Sequence, residues 1–382
     1  MRVLFYQFFP GGGIGRYTHE LASAMTGLDG AEVHLICPPD FEHLVASRYR
    51  VSTQLMPVAH QWPLIRKARF LTAQFINPWK GLRYGRSIRA DVIHFSNINH
   101  LSYPFWRSQL ERSSAKVVAT AHDVRRAAKI LSRRWETKAL VQFYRNADAL
   151  FVHSQEQVGD LIEFADVHRD RIHLVPHGLY SYPRATGTKA DLRRELGVPL
   201  ERAVALYFGM VRADKNLDGL MRAIARMQEA RPFLLIAGRM GERSQESESY
   251  YRSLVGELGL EADVKIVNEF IPETGVGSYF QAADFCCLTY RKDFTSQSGV
   301  LNVAMAFDMP VLVTPAPTLA ETVRRFDVGL VCADDSPAAI ATGCRDILER
   351  RQTGEPFAFD AYQQAHSWRA NAEQTLAVYR QL

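Results

Sequence analysis

Two doubly wound, Rossmann-like α/β domains facing a central cleft are the fold class this sequence predicts, on three observations. The chain has 382 residues, and at about 100–200 residues per domain that length holds two cores. Short, continuously apolar runs recur six times in each half, the pattern of strands buried on both faces of a parallel sheet. Stretches of helical periodicity separate them and complete a βαβ rhythm. Hydrophobic residues make up 47% and charged residues 23%, ordinary globular usage that excludes disorder, collagen and coiled coil.

In the first half the strand-like runs are residues 2–9, 32–37, 91–95, 116–121, 149–153 and 172–175. In the second they are 203–209, 233–238, 264–267, 284–288, 310–314 and 329–332. Helical spacing is clear over 14–25, 217–228, 250–258 and 300–307. Ser181, Pro183 and Gly187 coincide with a shift of charge, so the domains are expected at 1–183 and 184–362. Residues 363–382 read as an amphipathic helix after Ser367-Trp368, with Leu376 and Tyr379 on one face, expected to pack back on the first domain. The opening MRVLFYQFFPGGG has one basic residue and breaks at Pro10-Gly11, so it reads as a first strand and not as a signal peptide. No apolar run approaches the roughly 18 residues of a membrane span. Five cysteines without CxxC spacing support neither a disulfide framework nor a zinc site, and imply a reducing cytosol.

Charge is unevenly spread. Residues 1–180 carry 23 Lys and Arg against 15 Asp and Glu, and the remainder 23 against 26. No carboxylate occurs from His43 to Ala90, where Arg48, Arg50, Arg66, Lys67, Arg69, Lys80, Arg83, Arg86 and Arg89 alternate with Trp62, Phe70, Phe75, Trp79 and Tyr84. Such a stretch suits anionic lipid headgroups or an anionic acceptor. The competing reading is a solvated basic face with its aromatics turned inward. No nucleic-acid motif accompanies it, so no nucleic-acid partner is expected.

Ligands of doubly wound sheets bind beyond the carboxyl ends of the strands, so the loops after strands are where chemistry is expected. The first is Gly11-Gly12-Gly13-Ile14-Gly15, where glycines admit a ligand to the backbone and a helix N-terminus offers N–H groups to a phosphate. As a dinucleotide fingerprint it is poor, since Thr18 stands where the third glycine belongs; a plain tight turn is the other reading. The second runs from Gly209 to Asn216, with Arg212 and Lys215 suited to a diphosphate, or Arg212 to a surface ion pair with Asp214. The third is Tyr290 to Asn302, with Asp293, Thr295, Ser296, Gln297, Ser298 and Gly299 opening a helix. It describes an anion or sugar cradle, or a Ser-capped helix.

Further fragments accompany these loops: Gly12-Gly13-Ile14-Gly15-Arg16, Val92-Ile93-His94, Ala121-His122-Asp123, Val175-Pro176-His177-Gly178, Phe280-Gln281-Ala282-Ala283-Asp284, Ala304-Met305-Ala306, Met309-Pro310-Val311 and Ala320-Glu321-Thr322-Val323. In order and spacing they resemble the GT-B glycosyltransferases, specifically the retaining family 4, over essentially the whole chain. The resemblance implies transfer of a hexose from a UDP- or GDP-sugar, with the acceptor in the first domain and the donor in the second. No metal and no cofactor beyond the donor substrate are implied. Catalytic roles fall to His122, Arg212 and Lys215. Gly12, Gly13, Arg212, Lys215, Gly299, Val300 and Leu301 would hold the diphosphate, and Phe270 and Ile271 the base. In the retaining route the departing phosphate itself deprotonates the incoming hydroxyl.

The chain departs from the family where its usual pair of glutamates should stand: Thr295 and Val303 occupy those places. It is similar to a branch with a Ser-Gly-rich stretch there, so Asp293, Thr295, Ser296, Gln297, Ser298 and Glu321 are the candidates for ribose and sugar. The alternatives are that Asp293 substitutes for one carboxylate, or that activity is lost. The resemblance points to a cytoplasmic enzyme, at the inner face of the cell membrane, that acts on a glycolipid, lipid-linked oligosaccharide or other glycan in surface polysaccharide or lipopolysaccharide assembly. The competing functions are a nucleotide-sugar 2-epimerase of the same fold, a nicotinamide oxidoreductase, and a noncatalytic sugar-nucleotide-binding protein.

Overall fold

The computed structural model describes residues 1–45, 47–96, 98–125, 132–228, 231–241, 247–294 and 298–382. They form two compact units, Met1–Gly178 with His366–Leu382, and Leu179–Ala365. Composition had placed the change at 183–184.

In the first unit the elements run β1 (Arg2–Tyr6), α1 (Gly12–Thr26), β2 (Glu32–Ile36), β3 (Arg50–Ser52), α2 (Pro63–Ser87), β4 (Val92–Phe95), α3 (Tyr103–Glu111), β5 (Lys116–Thr120), α4 (Arg133–Asn146), β6 (Ala149–Val152), α5 (Gln155–Ala165) and β7 (Ile172–Leu174). The described strands make one parallel sheet in the order β3-β2-β1-β4-β5-β6-β7. Strands β1, β4 and β6 are buried along nearly their whole length, as their unbroken apolar runs predict. The run read over 2–9 is shorter as a strand, because Pro10 and the following glycines end the pairing. Several helices had no range in the sequence reading, and two of the unread elements bear on the first sheet. Strand β3 has three residues, too few for a pattern. Helix α2 hides its period behind basic residues and carries Pro78 inside, where Asn77 bonds Met56 N–H (2.7 Å) and Met56 C=O (3.0 Å). It lies close on the sheet: a Cβ at Gly81 would stand 2.7 Å from the Tyr6 ring.

The second unit runs α6 (Lys189–Glu195), β8 (Val204–Phe208), α7 (Leu217–Arg226), β9 (Phe233–Ala237), α8 (Glu248–Leu258), β10 (Val264–Val267), α9 (Glu273–Ala282), β11 (Phe285–Leu288), α10 (Gly299–Ala306), β12 (Val311–Val313), α11 (Pro317–Phe326), β13 (Gly329–Val331), α12 (Pro337–Thr353) and α13 (Phe359–Ala365). Its described parallel sheet has the order β10-β9-β8-β11-β12-β13. Asp284 anchors the start of the β8–β11 pair, accepting from Val204 N–H (2.7 Å), Lys189 (2.6 Å) and the buried Arg193 (2.6 Å). In both sheets strand order reverses beside the first strand, so neighbouring loops diverge there and leave a crevice.

The final helix, α14 (Trp368–Tyr379), belongs to the first unit and packs on α1. Ala372, Leu376 and Tyr379 bury their side chains with Val3, Phe5, Tyr17 and Leu21. Asn371 donates to Tyr17 Oη (3.2 Å) and to Pro176 C=O (2.6 Å). The Trp368 ring lies so close on Gly178 that a Cβ there would be 2.2 Å away. Tyr379 hydrogen-bonds His94, whose other ring nitrogen meets Thr120 Oγ1 at 2.8 Å. This docking face is rich in histidine: His153 and His177 stand 5.1 Å apart, each about as close to the Tyr17 ring.

Burial holds His94, His153 and His177 at pKa values of about 3, 3 and 4, against 6.5 when free. Mutual repulsion adds to this, from His366 on both His153 and His177, and from His94 and His177 on His153. Their folded pKa values lie below the unfolded one, so the unfolded chain takes up protons first as pH falls. The stability they permit is whole above about pH 6.5 and is lost toward pH 4, at about 1.4 kcal/mol per histidine per pH unit. Melting temperature is therefore expected to hold steady from neutral pH down to about 6.5 and to fall steeply below it. Thermal unfolding across that range checks this, and a flat profile contradicts it.

Candidate functional site

The loops that diverge at the reversal of the second sheet follow β8 and β11. The first opens with Gly209, at φ +92°, a left-handed conformation that glycine adopts without strain. Gly238, after β9, presses on it: a Cβ at Gly238 would stand 2.0 Å from Gly209 C=O. Val211 N–H then donates to Arg239 C=O at 3.0 Å, tying the β8 and β9 loops together. The β11 loop is joined to the same segment, as Arg291 N–H donates to Asp214 C=O (2.8 Å) and Arg291 Nε to Ala213 C=O (3.0 Å).

Three features converge inside this frame. The side chain of Lys215 is buried, with its ammonium 5.5 Å from the centre of the Tyr290 ring. A Cβ built on Gly209 would lie 3.5 Å from Lys215 Nζ and 3.3 Å from Val300 Cγ2, so the cation, the glycine and the start of α10 share one spot. Among the described residues Lys215 has no ion-pair partner. Burial pushes its pKa down to about 8, with repulsion from Arg212 adding to the fall and Asp214 opposing it. At neutral pH it remains an ammonium, with Asp214 nearby but no carboxylate in ion-pair contact among the described residues.

Helix α10 begins at Gly299 after an N-cap by Ser298. Leu301 N–H, expected at a phosphate, is directed to Ser298 instead, at 3.1 Å to its C=O and 3.4 Å to Oγ. The buried Ser298 hydroxyl also meets Tyr290 Oη at 3.0 Å, so it caps and braces the helix. The N–H groups of Gly299 and Val300 are the first of the helix and carry no acceptor among the described residues. A Cβ at Gly299 would meet no described residue within 4 Å.

Arg212 is half exposed and forks onto Asp214, Nε to Oδ1 at 3.1 Å and Nη2 to Oδ2 at 2.8 Å. The ion pair weighed in the sequence is formed, and an anion would have to draw Arg212 from it. Asp293 is exposed. Thr295, Ser296 and Gln297 lie outside the described residues. Glu321 is exposed on α11 and makes no hydrogen bond or ion pair among them.

Beyond β9 and β10 an open cavity of about 590 Å³ is lined by Arg239, Met240, Glu248, Asn268, Glu269 and Phe270 among others. The size suits a nucleoside. Phe270 is 77% exposed at its edge, while Ile271 packs against the apolar core. Asn268 orders the wall, accepting from Met240 N–H (2.8 Å) and donating to Glu248 (2.8 Å). The sequence reading missed Arg239, Asn268 and Glu248, because their residue types carry no signal until β9 and β10 stand side by side.

The first unit holds the remaining candidates. Gly12, at φ +75°, starts α1 and directs its N–H to the Glu42 carboxylate at 3.4 Å. A carboxylate thus already occupies the neighbourhood of this helix N-terminus, which has no side-chain cap. Gly13 follows in the first turn of α1. His122 follows β5, its C=O accepting from Gln157 Nε2 at 2.9 Å. The Tyr17 ring meets His122 edge-on at 4.6 Å, and His153 lies 5.5 Å from it. His122 is therefore one edge of the histidine and aromatic cluster that seats α14. Tyr17 and His153 went unremarked in the sequence, since helix and strand place them beside His122 from distant segments. Among the described residues no cluster of three or more His, Cys, Asp or Glu could hold a metal ion.

Residues 11–180 match the family described as Glycosyltransferase Family 4, and residues 188–374 match Glycosyl transferases group 1. A D-inositol 3-phosphate glycosyltransferase of Corynebacterium efficiens is 29% identical over 308 residues, 76% of this chain and 71% of the relative. For further relatives of that name the chain matches only 58% of their length. Two solved structures share the architecture. HepE of Anabaena, solved with UDP, aligns over 100% of both chains with a TM-score of 0.75 and 18% identity. Sucrose-phosphate synthase of Thermosynechococcus elongatus aligns over 100% of this chain and 98% of its own, with a TM-score of 0.72 and 21% identity. With two parallel-sheet Rossmann-like units of the GT-B type and family matches along nearly its whole length, the chain belongs to family 4 of the glycosyltransferases.

Proposed function

We propose that the protein is a retaining, metal-independent hexosyltransferase that moves a sugar from a UDP- or GDP-sugar to a hydroxyl of a glycolipid, lipid-linked oligosaccharide or other glycan. The observation that carries the reading is the buried Lys215 ammonium, without an ion pair among the described residues, beside Gly209 and the N-terminus of α10. An uncompensated buried cation is costly, and a dianionic diphosphate is the group that relieves it. Arg239, which lines the nucleoside-sized cavity, accepts from Val211 N–H two residues after Gly209, and this reading puts the base on that side of the diphosphate. HepE, a neighbour in fold, has been solved with UDP and with UDP-glucose. Here UDP is favoured as the donor nucleotide.

In this mechanism the glycosidic bond to the diphosphate breaks while charge builds on the leaving oxygen. Lys215 and the N–H groups of Gly299 and Val300 stabilise that charge, and Arg212 joins them on leaving Asp214. The departing phosphate accepts the proton of the incoming hydroxyl on the same face, which retains the anomeric configuration. No carboxylate nucleophile is required. His122 toward the donor sugar, and Gly12 and Gly13 toward the diphosphate, keep the roles that the family resemblance implies for them. The ribose hydroxyls and the sugar fall to Asp293, Ser298, Glu321 and the segment 295–297. The same reading places the protein in the cytoplasm, at the inner face of the cell membrane; among the described residues no helix is long and apolar enough to cross one.

The test is product analysis with UDP-glucose, UDP-galactose and GDP-mannose on a panel of glycan and glycolipid acceptors. UDP or GDP release that requires acceptor, with an axial-to-axial anomeric outcome by proton NMR, is the expected result. Conversion of the donor to its 2-epimer without acceptor indicates the epimerase. Donor binding without turnover indicates a noncatalytic binder.

Replacing Lys215 by Met separates function from stability. It removes an unpaired buried charge, so melting temperature is expected to hold or rise, while kcat/KM falls about 10²–10³-fold. Lys215 must be protonated to act, and its folded pKa of about 8 lies below the ordinary lysine range. The kcat/KM of the wild-type protein is therefore expected to fall as pH rises through about 8, since that parameter reports the free enzyme. A Lys215→Arg variant should move the fall to higher pH, and an unchanged profile would remove Lys215 from the role.

A further inference from the structure

Eight of the sixteen large apolar side chains left exposed among the described residues lie on one part of the first unit. Helix α2 buries Ala73, Asn77, Pro78, Gly81, Leu82 and Gly85 against the sheet. Its opposite face carries Leu64, Ala68, Thr72, Ile76 and Trp79 at successive turns, all exposed, and then Arg83 and Arg86. From Leu64 to Trp79 this stripe is about 22 Å long at the helical rise. Trp62, 61% exposed, stands at its start. It is widened by neighbours far off in the chain: Phe75 lies 5.3 Å from Phe105 of α3, and Phe105 lies 6.2 Å from Trp135 of α4. Phe105 is 58% exposed. Soluble proteins seldom leave a patch of this kind open without a partner.

The reading that the aromatics of residues 43–90 turn inward holds for Phe70 and Tyr84, which pack against the core. It fails for Trp62, Phe75 and Trp79. The cations divide in the same way. Arg50 is paired with Glu32 (2.6 Å), Arg69 donates to Ala59 C=O (3.2 Å) and Lys80 to Gln54 C=O (2.8 Å). Arg66, Lys67, Arg83 and Arg86 have no carboxylate partner among the described residues. Arg133 and Arg134, both exposed, flank Trp135.

We propose that the outward face of α2, with Phe105 and Trp135 beside it, docks on the surface of an anionic lipid bilayer. Indole, aliphatic and guanidinium groups on one face are the composition that settles at the headgroup–acyl boundary, the apolar groups below it and the cations among lipid phosphates. A second copy of the chain fits poorly, because an isologous pair would set this carboxylate-free basic face against itself. Nucleic acid fits poorly too, since Leu64, Ile65 and Ile76 offer a phosphate backbone nothing. The proposal rests on the transfer reading for its purpose, the presentation of a lipid-borne acceptor to the acceptor-binding unit. The binding itself is tested without turnover.

The experiment is co-sedimentation of the full chain with vesicles of phosphatidylcholine and phosphatidylglycerol, against phosphatidylcholine alone, across a salt series. Binding to the anionic vesicles that weakens with salt is expected. The Phe75→Ser/Trp79→Ser and Arg83→Glu/Arg86→Glu double variants should each bind at least tenfold more weakly. Both should keep the UDP-induced shift in melting temperature, since their residues lie outside the donor unit; that shift reports the transferase reading separately. Equal binding to neutral vesicles, or wild-type binding by folded double variants, would overturn the proposal. So would a concentration-dependent dimer, or binding to single-stranded DNA, that the variants abolish while vesicle binding is absent.

Discussion

Parallel pairing with a reversal of strand order is the constraint on which the rest of this structure depends. A parallel sheet needs a helix for each crossover, and helices on both faces force every strand to be apolar throughout. Where the order turns back beside β8, the loops after β8 and β11 leave in different directions. Backbone polar groups are then exposed in a crevice that no side chain of the core can fill. Gly209, Gly238 and Gly299 stand at this crevice, two of them at φ values that glycine alone adopts readily.

Electrostatics builds on that geometry. The loops are held to one another by backbone bonds, from Val211 to Arg239 and from Arg291 to Asp214, so the crevice does not collapse around Lys215. The fold keeps a cation in a buried place without an ion pair among the described residues, and the N-terminus of α10 starts beside the same spot. Arg212 is handled differently: it is exposed and rests on Asp214 until an anion competes for it. One cation is poised by burial and the other by a weak surface pair.

The first unit spends its polar groups otherwise. His94, His153 and His177 are buried in the seat of α14 and kept neutral, so among the described residues this helix is joined to the unit by rings and by Asn371. His122 belongs to the rim of the same seat. The unit's basic character is instead concentrated outside, on the face of α2 that carries exposed Trp62, Ile76 and Trp79.

The sequence alone marked the strands of both sheets apart from β3, because a strand buried on both faces must be written as a continuous apolar run. It also marked the loops after β1, β8 and β11, where glycines and cations follow such runs directly. It could not reveal β3, whose three residues carry no period, nor α2, whose aromatic residues fit either face. Only the tertiary structure decided that Phe70 turns inward while Phe75 turns out, because what a helix buries depends on which face meets the sheet. It likewise decided that Ile271 joins the core, that Leu301 N–H bonds Ser298, and that Tyr17, His153 and Trp368 gather near His122. These groups come from segments far apart in the chain, and their meeting depends on how strands and helices pack, which no local pattern of residues encodes.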